Sequence, residues 1–209
     1  MVEKKERALH RLNLVLSVTA FVLLAGLSTA WAQQPWTSVG AAGTVDTNSL
    51  LLVVYGAPPP PLPPTEADPD DGAVSFAPLA TGTATVRYNV VSVPGILGAS
   101  LALTGRYLSQ GTNDHVVLNF NQYNLHTGLI TNLLTLDSNS FAFSDTFQVQ
   151  TTAACTPGPV DFVNNSYYIV LTMTRTLPPS TFPIPPITSF NAPRPSLGMI
   201  QLSPCTTIF

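Results

Sequence analysis

The side chains suited to general acid–base catalysis are few beyond residue 32. That part of the sequence has two histidines, His115 and His126, each at a predicted turn, and either could pair with Asp114 or Asp137. A histidine–aspartate pair can act as a general base, but the sequence contains no G-x-S-x-G nucleophile elbow. We therefore expect solvated turn histidines, no catalytic residue and no enzymatic activity.

Paired carboxylates are a second catalytic arrangement, because two acids facing one cleft can hydrolyse glycosidic bonds. The acids between the predicted strands are Asp114, Asp137, Asp145 and Asp161. All fall at predicted turns, where aspartate is favoured because its side chain bonds nearby backbone N–H groups. A secreted carbohydrate-active enzyme is therefore the least favoured of the functions considered.

One acidic segment has the residue types of a metal site. Asp68, Asp70 and Asp71 followed by Gly72 resemble the opening of a calcium-binding loop. The segment lacks the later bidentate glutamate, and Gly72 comes one residue early, so we expect a solvated turn. A zinc site needs three or four ligands at recognisable spacing, which the histidines and cysteines do not supply. We expect no metal and no cofactor.

The two cysteines of the chain are Cys155 and Cys205. In an oxidising compartment an even number of cysteines indicates a disulfide. Closing a loop of about 50 residues would stabilise the fold by about 4 kcal/mol in the chain-entropy account. The alternative is a pair of buried free thiols.

Four strand residues could form a ligand-binding face. Tyr123 and Tyr168 have outward parity, so they could stack against sugar rings, while Arg87 and Arg106 share outward parity on successive strands and could bind an anion. The alternative interpretations are ordinary enrichment of tyrosine in strands and arginine stems that cover apolar surface.

Residues 1–32 have the three parts of a secretory signal peptide. A positively charged start precedes an apolar run from Leu12, which ends at the small residues Ala30 and Ala32. We expect cleavage after Ala32 and a secreted or periplasmic protein. An uncleaved anchor is the alternative, because a span needs roughly 20 apolar residues. No later stretch reaches that length, so no membrane span is expected after cleavage.

Residues 33–209 are acidic and contain no lysine. Four arginines stand against nine acids, a formal net charge of −5. Nucleic-acid binding requires clustered lysine or arginine, so we exclude a nucleic-acid partner. The surface must be built from neutral polar residues. This composition is compatible with an extracytoplasmic protein but does not identify a ligand.

Apolar residues alternate, or run in short blocks, between clusters rich in Gly, Pro, Asn and Asp, as in β-strands. The predicted strands cover Ser49–Tyr55, Thr83–Val93, Ser100–Leu108, His115–Asn124, Leu129–Leu136, Thr146–Thr151, Tyr167–Thr174 and Gly198–Leu202. About eight strands at this spacing predict a single antiparallel, all-β sandwich of jelly-roll type.

The predicted organisation is a signal peptide, a flexible stretch over 33–48 and a sandwich domain over 49–209. Proline-rich loops are expected at 57–72 and 177–196, because consecutive prolines are stiff and donate no hydrogen bonds.

The leading functional hypothesis is an exported, non-enzymatic protein with a structural or binding role. The alternatives are a carbohydrate-binding module and an assembly subunit that exchanges strand 49–55 with a neighbour. The partner would then be a polysaccharide or another exported protein. Asn164 also begins an N-x-S glycosylation sequon.

Overall fold

The computed structural model describes residues 34–55, 72–77, 80–109, 113–176 and 194–205. Ala32 and the signal segment, the acidic candidates Asp68, Asp70 and Asp71, and most of both proline-rich tracts lie outside these residues. In the described part of the chain, helices are limited to three-residue 3-10 turns. None has the length and apolar character needed to cross a lipid bilayer.

Eleven strands make up the described structure. They are β1 (Trp36–Val39), β2 (Thr44–Val45), β3 (Val53–Tyr55), β4 (Val74–Phe76), β5 (Gly82–Val90), β6 (Leu101–Ser109), β7 (Asp114–Asn124), β8 (Ile130–Asp137), β9 (Ser144–Thr151), β10 (Asn165–Arg175) and β11 (Ser196–Pro204). Each of the eight predicted strands is present, with at least one of its ends shifted by one to four residues.

The strands form two antiparallel sheets. One has the order β3-β4-β11-β6-β9, with β1 added beside β11, and the other has the order β2-β5-β10-β7-β8. From β4 onward the chain changes sheets at every step except the β7–β8 hairpin. The resulting four-stranded cores, β4-β11-β6-β9 and β5-β10-β7-β8, have the connectivity of a jelly roll. The predicted all-β, jelly-roll sandwich is confirmed.

The alternation of apolar residues explains why the sheets pack face to face. On β10, Ile169, Leu171 and Met173 are fully buried, and their register partners on β5 and β7 are buried as well. The other sheet contributes its own inward side chains to the same core: Phe76, Leu101, Leu103, Tyr107, Leu197, Ile200 and Leu202. Complete burial of such a side chain contributes about 1.5–3 kcal/mol.

The predicted flexible stretch over 33–48 is wrong for the described residues 34–48. Trp36 is only 7% exposed and belongs to the core, because β1 pairs with β11. The following Gly40 lies so close to the Leu197 carbonyl that a Cβ would clash with it, and it accepts a 2.6 Å hydrogen bond from the Tyr88 phenol. The N-terminal stretch is therefore a structural part of the sandwich.

Two further differences concern the region before β5. The predicted strand Ser49–Tyr55 is shortened to β3, because Thr47–Ser49 forms a 3-10 turn and Leu51 is 90% exposed. The partner of β3 is β4 of the same chain, a buried three-residue strand that the sequence pattern did not reveal.

The predicted disulfide between Cys155 and Cys205 is present. Cys205 directly follows β11, and its N–H donates to the carbonyl of Ser100. Cys155 lies in the connection between β9 and β10. The bond therefore ties the end of the last strand to that connection, across a sequence separation of 50 residues.

Replacing both cysteines by alanine should lower the free energy of unfolding by about 4 kcal/mol, because the unfolded chain regains the entropy of an open loop. Chemical denaturation of the oxidised, reduced and doubly substituted proteins measures this difference. The reduced protein should match the double variant, and equal stability of all three would contradict the prediction.

Trp36→Ala should destabilise the protein by about 3–5 kcal/mol, since it opens a cavity in the core. The matched control on the same strand is Val39→Ala, at a residue that is 50% exposed, and it should cost about 0.5 kcal/mol or less. Thermal and denaturant unfolding would compare them. Similar, small effects of both substitutions would mean that β1 does not stabilise the fold.

Candidate functional site

The outer face of the β5-β10-β7-β8 sheet collects polar side chains from four strands, and we call it the polar face. Because alternate residues of β10 enter the core, the residues between them point outward. Register places the outward residues in four rows across the strands: Thr83, Thr174 and His115; Thr85, Thr172, Val117 and Asp137; Arg87, Val170, Asn119 and Thr135; Asn89, Tyr168, Asn121 and Asn132.

Side-chain amides form a connected group on this face, the amide cluster of Asn119, Asn121, Asn132 and Thr135. The Asn132 amide nitrogen donates to the side-chain oxygens of Asn119, at 3.2 Å, and Asn121, at 3.3 Å. The Thr135 hydroxyl donates to the same oxygen of Asn119 at 2.8 Å. These bonds hold the side chains in one arrangement on the outside of a packed sheet.

A register shift between β7 and β8 creates the amide cluster. Phe120 pairs with Leu134, whereas the next residue, Asn121, pairs with Asn132. The extra residue, Leu133, packs against the core. A bulge of this kind turns one side chain to the other side of the strand, and here it aligns Asn132 with Asn121.

The predicted ligand residues Arg87 and Tyr168 lie together on the polar face. The Arg87 guanidinium carbon is 3.9 Å from the centroid of the Tyr168 ring, and Tyr168 is only 8% exposed. Tyr123 lies near the end of β7 and is 37% exposed. It is beside the β7–β8 turn, in which Gly128 has a φ of +71°. Of the two predicted stacking rings, Tyr123 is thus the one open to solvent.

The prediction that Arg87 and Arg106 could form one anion site is wrong. Successive strands of the jelly roll enter opposite sheets, so Arg106 lies on β6 in the other sheet. There its guanidinium carbon lies 4.5 Å from the centroid of the Phe147 ring on β9. Shared parity on β5 and β6 therefore places the two cations on opposite outer surfaces.

His115 pairs with Asp137 across β7 and β8, one of the pairings that the sequence allowed. His115 Nε2 and Asp137 Oδ1 are 2.6 Å apart, and the side chains are 28% and 37% exposed. The same oxygen accepts from the backbone N–H of Asn139 at 2.8 Å. The carboxylate orients the imidazole, and within the described part of the chain no serine, threonine or cysteine side chain is hydrogen-bonded to the pair.

His126 remains in an exposed turn, as predicted, and contacts the β9–β10 connection. Its Nε2 lies 3.1 Å from the side-chain oxygen of Asn164, whose amide nitrogen donates to Asp161 at 2.7 Å. The hydrogen bond from Asn164, together with one from the Val163 N–H, lowers the pKa of Asp161. The amide of the sequon residue Asn164 is therefore part of a loop-closing network.

The remaining acidic candidates do not assemble into a metal site. Among the residues that the structure describes, no group of three or more His, Cys, Asp or Glu is placed to hold an ion. Asp114 faces Arg175, with 3.6 Å between Oδ1 and Nε, and Asp145 lies on β9.

Comparison with known proteins adds a fold likeness. No protein-family model matches the chain, and no curated protein is a significant match. Among solved structures the chain is similar to the CBM22-2 xylan-binding domain of Xyn10C from Paenibacillus barcinonensis. The TM-score is 0.40 at 10% sequence identity, over 81% of this chain and 91% of that domain. At this level the likeness carries no information about a ligand.

The stacking of Arg87 on Tyr168 should be measurable as a coupling energy. In a double-mutant cycle of Arg87→Met and Tyr168→Leu, we expect a coupling of about 1 kcal/mol, because the ring is largely shielded from water. Denaturant unfolding of the four proteins gives the value. Arg106→Met combined with Tyr168→Leu should be additive, since those residues lie on opposite sheets. A coupling of zero in the first cycle would contradict the contact.

Proposed function

We propose that this protein is an exported, non-enzymatic module that binds a neutral polysaccharide on the polar face. The observation that carries the proposal is the amide cluster, in which Asn119, Asn121, Asn132 and Thr135 are preoriented by their mutual hydrogen bonds. A ligand bound there meets side chains that are already ordered, so less conformational entropy is lost on binding.

The chemistry of the polar face matches that of sugar hydroxyls. A hydroxyl group donates and accepts hydrogen bonds, and asparagine and threonine side chains do both as well. Four strands at about 4.8 Å spacing give a face about 14 Å wide, enough for several linked sugar rings. The face has no lysine, so it offers hydrogen bonds without strong attraction for polyanions.

Aromatic and guanidinium groups extend this surface. Tyr123 presents part of its ring at the end of the face where β7 meets the β7–β8 turn, and such a ring can pack against the apolar side of a pyranose. Arg87 keeps its planar donor fork while it covers Tyr168, so it can donate to sugar oxygens.

The non-enzymatic part of the proposal rests on the setting of the His115–Asp137 pair. A carboxylate bonded to one imidazole nitrogen leaves the other free to act as a base, but among the described residues no serine, threonine or cysteine side chain is hydrogen-bonded to His115. The role we assign to the His115–Asp137 pair is to orient a hydroxyl group of the ligand. Export is supported by the Cys155–Cys205 disulfide, since disulfides persist in oxidising compartments, and by the signal-like residues 1–32.

Retention of the purified protein on insoluble neutral polysaccharides and cell-wall fractions tests the proposal. Asn132→Ala removes the amide that connects the cluster, and Tyr123→Ala removes the exposed ring. Each should weaken binding by about 5- to 10-fold, since a hydrogen bond or ring contact contributes about 1 kcal/mol. Isothermal titration with soluble oligosaccharides would give the affinities.

The matched control is Gln201→Ala, which removes an amide from β11 in the opposite sheet and should leave retention unchanged. The polysaccharide assignment would be contradicted if the protein is retained on no polymer, or if all three variants lose retention to the same extent. Release of reducing ends from a bound polymer, abolished by His115→Asn, would instead show that the module is an enzyme.

A further inference from the structure

Two arginine side chains are buried at one end of the sandwich, away from the polar face. Arg175 is the last residue of β10 and is 5% exposed, and Arg194, two residues before β11, is 3% exposed. Arg175 pairs in register with Asp114, the first residue of β7. The ends of β6 and β10 and the starts of β5, β7 and β11 therefore meet in this region.

The two guanidinium groups have unused donors. A guanidinium has five N–H donors, yet the Asp114 carboxylate oxygen that faces Arg175 is 3.6 Å from its Nε. Arg175 Nη1, Arg194 Nε and Arg194 Nη1 are buried and have no hydrogen-bond partner among the described residues. Buried polar groups are nearly always paired, so these donors have capacity for an acceptor that the described residues do not supply.

The charges are also unbalanced. Within the described part of the chain, one carboxylate, Asp114, stands against the two guanidinium groups of Arg175 and Arg194. Burial lowers the pKa of Arg194, and the nearby charge of Arg175 lowers it further. Burial raises the pKa of Asp114, with Arg175 opposing that shift. Because arginine remains protonated in proteins, a ligand that matches these donors accepts hydrogen bonds and carries negative charge.

We propose that Arg175 and Arg194 together bind one small oxyanion. The anion accepts charge-assisted hydrogen bonds from buried guanidinium N–H groups of Arg175 and Arg194, the contacts by which arginine binds phosphate, sulfate and carboxylate groups. The two side chains are 5% and 3% exposed, so the site is closed to bulk solvent. It lies on the inward side of β10, whereas Thr174 belongs to the polar face, so it is independent of polysaccharide binding.

Thermal unfolding of the full protein with added anions tests this site. Inorganic phosphate, sulfate and galacturonate are each compared with chloride at constant ionic strength. Their concentration is kept at about 5 mM, well below the range in which excluded salts stabilise proteins in general. An anion present at about 100 times its Kd should raise Tm by about 5–10 °C. The ranking of the three identifies a tetrahedral oxyanion or a sugar carboxylate as the ligand.

Variants of Arg194 separate specific binding from a general salt effect. Arg194→Met should abolish the anion-dependent rise in Tm without lowering Tm in chloride, because it also removes an uncompensated buried charge. Arg194→Lys keeps the charge but loses the planar fork, so its rise should be smaller than that of the wild type. Arg106→Met, which removes a cation from the outer face of β6, should respond like the wild type.

Titration calorimetry of the unmodified protein with the best anion decides the matter if a variant does not fold. A saturable heat with one anion per chain is the expected result. The proposal is overturned if none of the three anions binds or raises Tm. It is equally overturned if Arg194→Met keeps the wild-type rise in Tm, as the control Arg106→Met is expected to do.

Discussion

The apolar core between the two sheets determines which side chains are left to face solvent and can contact a ligand. Ile169, Leu171 and Met173 must face inward to build the core, and the period of two then forces the residues between them outward. The polar face is the direct consequence on β10 and its neighbours. One local change, the bulge at Leu133, is enough to bring Asn132 into line with Asn121 and complete a network of side-chain amides.

The order of strands in the jelly roll determines which outward residues meet. Parity along each strand is readable from the sequence, and it placed Tyr123, Tyr168 and Arg87 on outer surfaces. Pairing order is not readable in this way, because it depends on contacts between distant segments. Arg87 and Arg106 therefore looked like neighbours, although β5 and β6 lie in opposite sheets.

Short elements set the other limit of prediction from sequence. The long strands were predictable because five or more alternating residues leave a clear pattern, whereas β1, β2 and β4 have only two to four residues each. Trp36 shows why such elements still matter: its ring is buried by tertiary contacts that no local pattern encodes. Likewise, the histidine–aspartate pairing could be listed as an option, but the cross-strand placement of His115 beside Asp137 required the register of β7 and β8.

The positions of the four arginines beyond residue 32 explain why a neutral ligand suits the polar face. Arg87 and Arg106 lie over aromatic rings, and Arg175 and Arg194 are buried. Since this part of the chain has no lysine, the positive charge that polyanion binding requires is not gathered on one surface. In the proposed function, Arg87, held over Tyr168 beside the amide cluster, acts as a directional hydrogen-bond donor. Recognition on such a surface depends on matching donors and acceptors, which is what a sugar polymer offers.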